Sequence, residues 1–182
     1  MSERFPGIRP RPTPWQRLDT LARQSFAAAS TALLLLTAAA PIGIPGQAQL
    51  LIAVAISCVF FWSLFRPGAL TPPLVFLLGV LVDLLSYAPI GVDVVTLLLV
   101  QAVALRWRRL LVRQGFLVVW LAFILVAAGA AALQWLLTSA LVIRVLPPLE
   151  AVFQAFLAAG LYPPLAVLLS RAHRTLADGD ER

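Results

Sequence analysis

Long apolar runs, broken by short clusters of Arg, Pro and Gly, occupy most of this chain. They predict helical spans at about Ser25 to Ile44, Ala48 to Phe65, Pro72 to Ala88, Gln114 to Ile143 and Pro148 to Ser170. Most are long enough for the ~17 to 25 residues that cross a bilayer. A further candidate is short, with only Val94 to Leu105 between Asp93 and Arg106. Arginine stems snorkel toward the interface, so its ends can extend past those charges. The fifth run is charge-free over 30 residues and is expected to tilt or to extend past the membrane. Pro163 and Pro164 remove two backbone donors from the sixth and are expected to kink it after Tyr162.

Charge placement decides whether the short segment crosses. If it does, thirteen of the fourteen arginines fall on one side and Arg144 alone on the other. If it does not, the division is seven and seven. Positively charged residues gather on the cytoplasmic side, so the crossing is preferred. The expected fold is therefore an all-α, polytopic membrane protein of six transmembrane helices with both termini cytoplasmic. Residues 1–12 read as a disordered basic tail, 13–170 as the transmembrane domain and 171–182 as a short cytoplasmic tail. Thr13, Pro14 and Gln16 have the spacing of a helix start, and Trp15, Leu18, Ala22 and Phe26 form one apolar stripe behind it. An interfacial helix is predicted there.

Composition agrees and removes several function classes. The chain is 61% hydrophobic and 12% charged over 182 residues, against about a quarter charged in a soluble domain. Its net charge of +6 is carried by arginine without lysine. Those arginines lie between apolar runs, where they set topology, so no nucleic-acid partner is predicted. His173 is the only histidine and lies in the tail, so no histidine metal site or catalytic triad can form within the membrane. No glycine-rich phosphate loop is present, and no cofactor, metal or catalytic residue is predicted.

One polar group stands out. Asp83 is the only charge between residues 72 and 88, and exposing it to lipid would cost at least ~2.5 to 3.5 kcal/mol. On a helix Gly79, Ser86 and Tyr87 share its face, and Pro89 and Gly91 turn the chain beyond it. An anion is disfavoured in the last turns of a helix, so Asp83 needs another holder. Ser86 or a neighbouring helix could hydrogen-bond it, or the face could receive a partner or small ligand. Asp93, following Gly91 at a helix start, is expected to cap its own helix, as is Glu150 after Pro148. Arg144 is a candidate ion-pair partner for Asp83, Asp93 or Glu150. Gln101, Gln134 and Gln154 are expected to bond between helices, and Ala151, Ala155 and Ala159 form a small-residue stripe that allows close packing. Trp62 beside Arg66 fits an interfacial aromatic belt, and Arg106, Arg108, Arg109 and Arg113 form a basic topology loop that could also bind anionic lipid or a cytoplasmic partner.

The block Trp62-Ser63-Leu64-Phe65-Arg66-Pro67, followed by Pro72, Phe76, Gly79, Asp83-Leu84-Leu85-Ser86 and Pro89-Ile90-Gly91, resembles the central signature of the rod shape-determining protein MreD family. That family commonly has Gly where this chain has Tyr87, and Asp93 is a further departure. The resemblance implies a non-catalytic, multi-pass subunit of the bacterial inner (plasma) membrane in the lateral peptidoglycan elongation complex. Its implied partners are MreC and, through it, the RodA glycosyltransferase, a class B penicillin-binding protein and MreB filaments. The family's fold is considered similar to the substrate-binding subunits of energy-coupling-factor vitamin transporters. A second class of function follows from that, a small-molecule transporter subunit, and polar side chains converging on one pocket at the external side would favour it.

Overall fold

A computed structural model describes residues 27–40, 46–86, 89–144 and 146–177, the last six of these by backbone only. The predicted tail 1–12, residues 178–182 of the predicted tail 171–182, the helix start at Thr13, the stripe from Trp15 to Phe26, and Tyr87 lie outside the described residues, while residues 171–177 continue the last helix. Six helices occur among those described: α1 (Ala27–Ala38), α2 (Gln47–Phe65), α3 (Pro72–Ser86), α4 (Val92–Leu111), α5 (Phe116–Val142) and α6 (Leu149–Ala177). By length and composition α2, α5 and the Leu149–Arg171 part of α6 suffice to cross a membrane, whereas α1 and α3 are shorter apolar helices.

The short candidate is longer than its apolar run. α4 covers 20 residues, about 30 Å of rise. It continues through Arg106 to Leu111 because its last turns face outward and Arg108 finds a partner, its Nε donating to Leu64 O at 2.9 Å. A guanidinium there also meets the negative end of α2. The sixth helix runs unbroken through Pro163 and Pro164.

α2 is the axis of the bundle, packing against α3, α4, α5 and α6. It is apolar on every side, which suits a helix surrounded by others. Of its span 72% is buried, against 33% for α5 and 28% for α6, whose outer faces carry Leu117, Leu121, Leu125 and Phe156. At the centre Phe60 of α2 meets Phe123 of α5 edge-on, and Phe123 stacks on Tyr162 of α6 with centroids 4.2 Å apart. Such pairs add about 0.5–1.5 kcal/mol each beyond area burial. Trp62 is 2% exposed and lies edge-on to Phe61, so it belongs to the interior and not to an interfacial belt. An all-round apolar helix gives no sequence signal for which of its aromatics face lipid. Gln47 donates from Nε2 to Ala38 O and Ala40 O, closing the end of α1 against the start of α2.

Candidate functional site

At one end of the bundle α3 runs into a turn and α4 leaves it. The pair is held close by Gly79, where an added Cβ would lie 2.6 Å from the Val94 Cα. Gly91 stands at φ 101° just before α4, a left-handed conformation that glycine adopts without cost. The close crossing and the turn bring Asp83 under the first turn of α4. The Gly91 amide donates to Asp83 Oδ2 at 2.7 Å and the Asp93 amide to Oδ1 at 2.9 Å.

Asp83 therefore caps a helix other than its own. The first amides of a helix have no partner within it and carry the positive end of its dipole. A carboxylate placed there satisfies two of them and is itself stabilised, which resolves the conflict with its own helix end. Charge-assisted bonds of this kind contribute about 1.5–3 kcal/mol each. The cap expected from Asp93 is supplied by Asp83 instead, since no side-chain cap bond comes from α4's own residues.

Asp93 is turned the other way, into the bundle. Ser86 Oγ donates to its Oδ2 at 3.0 Å and Gln134 Nε2 to its Oδ1 at 2.6 Å. Gln154 Nε2 in turn donates to Gln134 Oε1. The result is a buried polar chain through α3, α4, α5 and α6, with Asp83 2%, Asp93 1%, and Gln134 and Gln154 each 6% exposed. Each of these bonds keeps a polar group from an unsatisfied burial. Gln101 belongs to a separate contact, Nε2 donating to Leu70 O at 2.8 Å before α3.

The remaining predicted residues lie elsewhere. Arg144 is exposed, and among the described residues no ion pair joins it to Asp83, Asp93 or Glu150. Trp62, Arg66, Pro67 and Pro72 lie at the opposite end of the bundle, with Arg66 following α2 and Pro72 opening α3. Arg106, Arg109 and Arg113 are exposed at that same end. Glutamines 134 and 154 were legible as bonding groups, but no spacing rule links either to Asp93.

Two concavities adjoin the polar chain. One, of about 130 Å³, is lined by Asp93, Gln134 and Gln154 together with Gln49, Thr138 and Glu150. The other, of about 590 Å³, is apolar and runs between α5 and α6. Among the described residues no group of three or more His, Cys, Asp or Glu could hold a metal ion.

No curated protein and no solved structure matches this chain. The family model for the rod shape-determining protein MreD matches residues 25–172. That covers most of the chain, taking in α1 to α5 and all but the last five residues of α6, so the chain belongs to the MreD family of rod shape-determining membrane proteins.

Proposed function

We propose that this chain is a non-catalytic subunit of the lateral peptidoglycan elongation complex of the bacterial inner membrane. It acts by helix-to-helix association with a single-span partner of the MreC type. Through that partner it meets the RodA glycosyltransferase, a class B penicillin-binding protein and MreB filaments. Family membership supports the cell-shape role. The observation that carries the non-catalytic reading is the use of Asp83, whose two oxygens both accept backbone amides of α4 and so hold helices together.

The proposed topology is six spans with both termini cytoplasmic. It is supported by the length of α4 and by the thirteen-to-one division of arginines. Arg109→Cys and Arg144→Cys, both at exposed positions near opposite ends of the bundle, are expected to react with a membrane-impermeant thiol reagent from opposite sides. Labelling of Arg109→Cys from outside, with Arg144→Cys reached only from the cytoplasmic side, would remove the fourth crossing.

Association is tested by extraction from native membranes in mild detergent. A single-span partner is expected to stay bound without added nucleotide or metal, because packing within lipid depends on fit between helices. The transporter reading is favoured by the polar cavity beside Asp93, but about 130 Å³ is well below the ~300 to 1,000 Å³ typical of small-molecule sites. Recovery of the chain without a protein partner but with a tightly bound vitamin would establish that reading in place of ours.

A further inference from the structure

The two concavities share Ala131, Trp135 and Ala151 and so form one continuous surface. The larger is a groove with alanines on both sides, Ala128 and Ala132 from α5 and Ala155 and Ala159 from α6. It extends from Trp120 to Trp135, about 22 Å along α5, most of the ~30 Å of a bilayer core. Both indoles are tied down, Trp120 Nε1 donating to Ala159 O and Trp135 Nε1 to Leu146 O, each at 2.9 Å. The groove is thus a fixed shape with a small-residue floor. A fluid acyl chain gains nothing particular from such a floor, whereas a second helix gains a close backbone approach.

The smaller cavity is rich in acceptors, for a reason that starts at Asp93. A carboxylate only accepts, so Gln134 presents its NH₂ to Asp93 and its carbonyl to Gln154. Gln154 gives its NH₂ to that carbonyl, which leaves its own Oε1 as the end of the chain. Gln154 lines the cavity, with its side chain 6% exposed. Asp93 and Glu150 line the same cavity, and among the described residues no arginine does. Its volume is too small for an extended ligand and suits one ammonium or guanidinium group.

We propose that the groove between α5 and α6 seats one transmembrane helix of a partner protein, and that the cavity at its end receives a lysine or arginine from that helix, level with Asp93. Complementarity of charge selects the partner, and the alanine floor sets how closely it lies. This rests on the association reading above and gives it a surface.

The test uses the full chain in phosphatidylcholine bilayers and two labelled transmembrane peptides of leucine and alanine. One carries a single lysine level with Asp93, the other norleucine at that place. Energy transfer is expected to give about tenfold tighter binding for the lysine peptide, which corresponds to ~1.4 kcal/mol. Ala128→Phe and, independently, Ala132→Phe lie at exposed positions in the groove and are expected to reduce binding of both peptides to background. Glu150→Lys places a cation in the cavity wall and is expected to abolish the lysine advantage while leaving the norleucine peptide unaffected. Equal binding of the two peptides to the native chain, or a lysine advantage that survives Glu150→Lys, would overturn the cationic anchor. Undiminished binding to both phenylalanine variants would overturn the groove. Displacement of the lysine peptide by phosphatidylethanolamine would make a lipid amine the occupant and overturn the proposal. A native partner that stays with both phenylalanine variants refutes this surface while association stands, and a native chain that retains no partner at all removes both.

Discussion

Replacing Gly79 with leucine is expected to force α3 and α4 apart and to lower stability by about 3 kcal/mol or more, as overpacking is compounded by loss of bonds across the crossing. The first atom added at this position would stand 2.6 Å from a backbone atom, the Val94 Cα, which no rotamer change can move. Separation of the helices also draws Asp83 away from the Gly91 and Asp93 amides, so the crossing and the cap fail together. Gly79→Ala meets the same Cα with a smaller group and is expected to cost ~1 to 3 kcal/mol. Trimming the neighbour with Val94→Ala should give little rescue, because the obstacle is the main chain. Thermal unfolding in detergent and the amount of protein in the membrane measure the effect. A native melting temperature for Gly79→Leu would refute the close crossing of α3 and α4.

Asp83→Leu is expected to be comparably severe, about 3 to 5 kcal/mol, since it leaves the half-buried Gly91 amide and the buried Asp93 amide at the start of α4 without their acceptors. Asp83→Asn is not a mild change here. An amide has one acceptor oxygen, so one of the two bonds survives and the NH₂ is turned toward a backbone N–H. A loss of ~2 to 3 kcal/mol is expected, intermediate between the native chain and leucine. The readout is restoration of rod shape in a deletion strain, with membrane levels followed by immunoblot. Normal shape with Asp83→Leu at normal levels would separate Asp83 from function.

What could be read in advance follows from the range over which each interaction acts. Helix positions were legible because hydropathy is local, and observed helices start and stop within a few residues of the charge-free runs. The exceptions are α6, which continues past Arg171 to Ala177, and α4, which runs beyond its apolar stretch because Arg108 bonds to Leu64 O, a contact 44 residues away in sequence. Asp83 was conspicuous as the one charge in its run, yet its role was not legible. A rule that places caps within their own helix gave that task to Asp93, and only the turn at Gly91 shows which carboxylate meets the free amides. Gln134 and Gln154 lie 41 and 61 residues from Asp93, beyond any spacing rule. Trp62 was misread for another reason, since α2 is apolar all round and burial is decided by its neighbours.

The cap at Asp83 also bears on biosynthesis. Its partners lie only 8 and 10 residues downstream, so the carboxylate meets its donors as soon as the first turn of α4 has been synthesised. α3 and α4 can then pair as a hairpin in which Asp83 is already bonded and Asp93 already has Ser86, with only the Gln134 bond to Asp93 waiting for α5. The hydroxyls of Ser57 and Thr96 bond to carbonyls four residues back in their own helices and are likewise satisfied before assembly. Gln134 and Gln154 need groups from other helices. The order in which bonds become possible along the nascent chain thus makes the α3–α4 hairpin the founding unit, onto which α5 and α6 are later locked through their glutamines.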